Sequence, residues 1–147
     1  MRSPLIRPLV LMCALALACS LAAAGMVSRQ FEFREDVTLE IGVATDDGLR
    51  LDSVHFALPR SAGSAHPRTA GLSAVQIALS NTSEQSHMVG VALAVFDAEG
   101  RLVGVASGGS KLLPLKPERQ KTYTLVFNHV NGGMHRAKTF RITLESR

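Results

Sequence analysis

The chain has 147 residues, 46% of them hydrophobic, and a net charge of +4, which suits a domain built around one apolar core. Its two cysteines, Cys13 and Cys19, both precede Ala24. Once a leader is removed no disulfide can staple the domain, even in an oxidising compartment, and folding must come from apolar burial.

Residues 1–24 read as an export signal. Arg2 and Arg7 give a positive start, residues 9–21 an apolar run, and Ala22-Ala23-Ala24 a small-residue cleavage site. The run is short of the roughly 20 residues that a membrane-spanning helix needs. Cleavage after Ala24 would release a domain of residues 25–147. A second route is a loose bacterial lipobox, Leu15-Ala16-Leu17-Ala18-Cys19, in which the Cys19 thiol takes the lipid. Ala16 stands where that pattern usually has Leu, so soluble release is preferred.

Strand patterns fill the remainder. Val37, Leu39, Ile41 and Val43 alternate with polar or small residues, the mark of a strand with one wet face. Phe31 and Phe33 start a similar pattern before it. Asp46-Asp47-Gly48 gives a turn. Leu49 and Leu51 resume the alternation, and Val54, Phe56 and Leu58 continue it with shifted parity, which predicts a bulge near Asp52-Ser53. Residues 59–70 form a loop of small residues. Val75, Ile77 and Leu79 share one strand face, and residues 81–86 form a polar turn. From Met88 to Asp97, both faces are apolar, so this strand is expected to be central and covered on both sides. Asp97-Ala98-Glu99-Gly100 is a hairpin turn, with Gly100 at positive φ. Pro114 and Pro117 mark a loop. Tyr123, Leu125 and Phe127 point inward from the next strand, Asn131-Gly132-Gly133 turns the chain, and Phe140, Ile142 and Leu144 close the sheet.

No segment sustains a helical period. Seven or eight short strands without parallel crossovers predict an all-β fold: an antiparallel immunoglobulin-like β-sandwich, preceded by the N-terminal signal helix. Charge is uneven, −5 over residues 25–100 and +7 over residues 101–147. The simplest account sets early strands beside late ones, with charges paired across the sheet. Nucleic acid is not the expected partner, because Tyr123, Phe127 and Phe140 alternate as core residues rather than forming a stacking platform.

In the middle of the chain, Leu93-Ala94-Val95-Phe96-Asp97 runs into Ala98-Glu99-Gly100-Arg101-Leu102-Val103-Gly104, and a Leu-rich loop with Pro117 leads into Tyr123-Thr124-Leu125-Val126-Phe127. Over roughly residues 72–128 this resembles the FxLYD-type domains of bacterial exported proteins. The resemblance implies an immunoglobulin-like β-sandwich outside the cytoplasm and lends no catalytic residues. Where those domains carry Pro-Gly-Glu, this chain has Pro117-Glu118-Arg119.

Candidate chemistry is sparse. His55, His66, His87, His129 and His135 lack metal-site spacing. His87-Met88 and Met134-His135 pair imidazole with thioether, a set suited to copper(I), although strand neighbours point to opposite faces. That makes Met88 a core residue and His87 a surface one. Gly108-Gly109-Ser110 is not a nucleophile elbow, and nothing in the spacing favours a Ser–His–Asp grouping. Glu35-Asp36 and Asp46-Asp47 read as solvated caps. No cofactor is expected.

These features predict an exported, non-catalytic β-sandwich, periplasmic or secreted. It would serve as a protein-interaction or structural module of the bacterial cell envelope, its partner an envelope protein. The loops at 59–70 and 107–119 are the candidate contacts. One alternative is a periplasmic ligand or copper carrier using His87, Met88, Met134 and His135; another is an outer-membrane lipoprotein attached through Cys19.

Overall fold

A computed structural model describes residues 25–58, 73–127 and 133–147. The predicted signal helix, Cys13, Cys19, the 59–70 loop, His66, His129 and most of the 131–133 turn lie outside the described residues. Among the described residues there are eight strands: β1 (Met26–Glu32), β2 (Thr38–Ala44), β3 (Leu49–Ala57), β4 (Ala74–Asn81), β5 (Val89–Phe96), β6 (Leu102–Gly109), β7 (Gln120–Val126) and β8 (Thr139–Ser146). A single 3-10 turn, Met134–Arg136, precedes β8. The strands form two four-stranded antiparallel sheets, ordered β1-β8-β5-β6 and β2-β3-β4-β7. Among the described residues no helix is long and apolar enough to cross a membrane.

The alternation seen in the sequence is what packs the two sheets. Val75, Ile77 and Leu79 of β4 are fully buried, as are Val54 and Phe56 of β3. They face Val91, Leu93 and Val95 of β5 and Phe140, Ile142 and Leu144 of β8 across one core. At one end of the sandwich the core is aromatic. Phe56 meets Phe140 edge-on at 5.0 Å and lies 4.5 Å from Phe33 and 6.4 Å from Phe127. The predicted bulge is present. Leu51 pairs with Leu79 and Ser53 with Ala78, which leaves Asp52 as the extra residue and moves the inward parity from Leu51 to Val54. The hairpin turn at 97–100 is present too, with Gly100 at φ 76°. Asp97 there accepts backbone N–H groups from Glu99 and Arg101 and the Arg101 guanidinium.

Three expectations need correcting. Strand β5 is central, but its second face is open: Ala92 is exposed, and Gly90, Ala94 and Phe96 are half-buried. Small apolar residues tolerate water at little cost, so alanine and glycine do not signal a covered face. Ala92 and Ala94 floor an open depression of about 430 Å³ with Val105, Ser107, Arg141 and Thr143 on its flanks. Among the described residues the arginine ion pairs also differ from the expected cross-sheet pattern. Strands β1 and β8 are neighbours, yet the ion pairs Arg34–Glu32, Arg50–Asp52, Arg101–Asp97 and Arg147–Glu145 each join residues two to four apart. Short local reach costs less side-chain entropy than a cross-strand match. Finally, His87 is buried and Met88 half-buried, the reverse of the expected placement. His87 precedes β5, where a bridge to Leu115 rather than strand parity sets its orientation.

Candidate functional site

One end of the sandwich concentrates the chain's unusual chemistry. The connection from β6 to β7, residues 110–119, carries Leu112 and Leu113, which are 89% and 76% exposed. Lys111 and Lys116 flank them and are exposed. Leu115, two residues on, is buried in the core and pins the loop. Its backbone exchanges two hydrogen bonds with His87, 2.8 and 3.0 Å, and its carbonyl also accepts the Asn81 side-chain amide at 3.0 Å. Asn81 secures the far arm as well. Its N–H donates to the Arg119 carbonyl, and its own carbonyl accepts from Glu118 N–H. Ser110 N–H donates to the Val89 carbonyl on the near arm. The two leucines thus project from a loop whose base is hydrogen-bonded on both sides.

Asn81 is 1% exposed, not part of a solvated turn. Its amide nitrogen donates to the Gln85 and Leu115 carbonyls, and its amide oxygen accepts from the N–H and hydroxyl of Ser83. Four satisfied bonds around a buried amide make it a structural hub.

Beside it lies a polar clasp. Asp47, read as a solvated cap, instead accepts hydrogen bonds from Thr45 Oγ1 (2.5 Å) and Ser146 Oγ, and faces His87 Nδ1 at 3.6 Å. His87 Nε2 lies 2.8 Å from Ser83 Oγ. Burial works to raise the Asp47 pKa, but the Ser146 and Thr45 hydrogen bonds and the neighbouring His87 outweigh it and leave the carboxyl below its ordinary value. The clasp ties together the β2–β3 turn, the β4–β5 connection and the end of β8.

Ser83, His87 and Asp47 thus form a Ser–His–Asp grouping that residue spacing alone does not favour. Its geometry departs from that of a hydrolytic triad in two respects. The His87–Asp47 separation exceeds a hydrogen bond. The Ser83 hydroxyl also contacts Asn81 Oδ1 (2.8 Å), the Gln85 carbonyl (3.1 Å) and Gln85 N–H (3.2 Å). Gly48 lies against it so closely that a side-chain carbon there would stand 2.9 Å from Ser83 Cβ. The hydroxyl is shared among Asn81, Gln85 and His87 rather than held for the imidazole alone.

The copper candidates are not brought together. His87 and Met88 lie at the clasp end, where Val89 pairs with Ser146. Met134, buried in the core, and His135 lie in the 3-10 turn before Thr139, which pairs with Phe96 at the other end. The intervening length of strand is on the order of 20 Å. Among the described residues no group of three or more His, Cys, Asp or Glu could hold a metal ion.

No protein-family model matches this sequence, and no curated protein matches it.

Proposed function

We propose that this chain is an exported, non-catalytic sandwich of immunoglobulin-like topology that docks a protein of the bacterial cell envelope through the tip of its β6–β7 loop. The observation that carries the reading is the pair Leu112 and Leu113, both largely exposed on a loop anchored through Leu115, Asn81 and His87. Exposed leucines gain about 1.5–3 kcal/mol each on burial. A loop already held in shape loses little entropy on binding. Lys111 and Lys116 beside the pair suit a partner whose apolar pocket has an acidic rim.

The immunoglobulin-like assignment is supported by the Greek-key neighbours β4–β7 in one sheet and β5–β8 in the other. The likeness to FxLYD-type domains gains support from Glu118. It stands where those domains carry glycine and adopts φ 54°, the region glycine favours. The non-catalytic reading is supported by the hydrogen bonds that tie the Ser83 hydroxyl to Asn81 and Gln85 and by the 3.6 Å between His87 and Asp47.

A photo-crosslinking amino acid at position 113, introduced in the exporting cell, tests the docking reading. The expected result is one protein adduct of defined mass, lost when Leu112 is changed to Ala and absent when the probe sits at exposed position 29. Adducts to lipid alone, or an adduct indifferent to Leu112→Ala, would overturn it.

A further inference from the structure

Gly25 is buried where β8 ends against the β2–β3 turn. Its carbonyl accepts the Ser146 backbone N–H at 2.8 Å, and Ser146 Oγ, whose proton is directed to Asp47, lies 3.1 Å from the same carbonyl. A side-chain carbon on Gly25 would stand 2.5 Å from Asp47 Oδ1, 2.7 Å from Asp47 Cγ and 2.7 Å from Ser146 Oγ. Such separations exclude carbon. A nitrogen at that point would also stand too near Asp47 Cγ, so the Asp47 carboxylate must draw back by several tenths of an ångström; both oxygens then lie within reach of charge-assisted hydrogen bonds from an ammonium.

The sequence places the export cleavage at the bond before this residue. Hydrolysis of the Ala24–Gly25 peptide consumes one water, leaves a carboxylate on Ala24 and creates an α-ammonium on Gly25. Glycine carries two hydrogens on Cα. Once the preceding peptide is gone, rotation about Cα–C can move the nitrogen into the position that a side-chain carbon could not occupy, while the carbonyl keeps its bond to Ser146. We propose that Gly25 is the mature N-terminus and that its ammonium docks between Asp47 and Ser146, completing the clasp only after the leader has been removed. This rests on the reading that export cleaves after Ala24.

The charged and titratable groups around this site are few. Asp47 comes from the β2–β3 turn, and His87, from the β4–β5 connection, approaches the other side of the same carboxylate. Glu145, on β8, and Arg147, just beyond its end, flank Ser146 and are paired with each other at 2.7 Å, and Asp46 adjoins Asp47 in the turn but is exposed. The carboxylate of Asp47 is therefore the group that holds the ammonium, and it raises the ammonium's affinity for its proton. The resulting stabilisation is present below the ordinary α-amino range, near 8, and is lost as pH rises through the docked value.

The test uses the full chain, expressed with its leader and purified after export. Intact mass identifies the first residue. Mild transamination then converts a terminal glycine to a glyoxylyl group, which removes the ammonium and leaves lysines unchanged. The expected mass begins at Gly25, and the transaminated protein melts roughly 2–5 °C lower at pH 7. That gap closes at pH 10 and is absent in Asp47→Asn. A Gly25 start with coincident melts at pH 7 would overturn the docking and leave the export reading standing. A mass beginning at lipidated Cys19, or at Met1, would overturn the cleavage on which the inference depends. The chemical modification needs no mutation, so the outcome survives a failure of Asp47→Asn to fold.

Discussion

Single residues set two conditions on this fold that act through charge and backbone shape. Asp47 and Asp97 are both held below the ordinary carboxylate value. For each, burial pulls the other way and is outweighed, at Asp47 by hydrogen bonds from Ser146 and Thr45, and at Asp97 by the N–H, guanidinium and charge of Arg101. A carboxyl with a depressed folded pKa stabilises the native state above its unfolded value, and that stabilisation is lost as pH falls through the folded one. These two carboxyls should therefore make melting temperature fall below about pH 4. Replacing both residues by Asn should flatten that acid limb, and an unchanged limb would locate the acid sensitivity elsewhere. Glu118 acts through its backbone. At φ 54° a residue with Cβ is strained by about 1–2 kcal/mol, so Glu118→Gly should raise stability in urea denaturation by about 0.5–1 kcal/mol after the added chain entropy of glycine. A loss would mean that the exposed Glu118 side chain makes contacts worth more than the strain. Neither clasp nor hub was legible in the sequence. Asp47, Asn81, His87 and Ser146 come from segments that only folding brings together, and each reads locally as an ordinary turn or strand-end residue.

Strands, by contrast, were largely legible. Burial of one face imposes a period of two, and that period is written into Val75, Ile77 and Leu79 and into Tyr123, Leu125 and Phe127. Even the bulge at Asp52 could be read, because one inserted residue swaps the faces and leaves a parity slip between Leu51 and Val54. Strand β5 misled because its outward Gly90, Ala92 and Ala94 carry hydrophobic labels with little apolar surface. Glycines differ in what they do for these strands, and the β5–β6 hairpin separates two cases. Gly100, in the turn, has positive φ and nothing within 4 Å of a side-chain carbon. Gly109, at the end of β6, has φ 149°, and a side-chain carbon there would collide with the Val89 carbonyl of the paired strand. Gly100→Ala should therefore cost only backbone strain, about 1 kcal/mol. Gly109→Ala must also push β6 from β5, at a cost of about 2 kcal/mol or more. Urea titration of the two variants checks the order; equal losses would mean that the β6 end yields without resistance.

At the scale of the whole molecule, stability and recognition occupy different places. The core runs between the two sheets, with its aromatic part around Phe56, Phe127 and Phe140 at one end. The anchored loop and polar clasp lie at the other. Leu93 is 2% exposed at the centre of β5, flanked by β8 and β6. Leu93→Lys would bury an ammonium with no room to reach water, which proteins of ordinary stability do not survive. Circular dichroism should show no cooperative melt for that variant, and an unaltered melt would mean that the core is misplaced. Leu112 and Leu113 are the opposite case: two leucines of the same hydrophobic class that contribute little to folding because water already reaches most of their surface. Changing both to Ala should move the melting temperature by no more than about 4 °C, since exposed substitutions change stability by about 0.5 kcal/mol or less each. If the pair serves recognition, the same double variant should lose the crosslinked partner while keeping the wild-type melt. A substantial drop in melting temperature would instead make the leucines part of the fold's own packing, and the loop would cease to be a candidate contact.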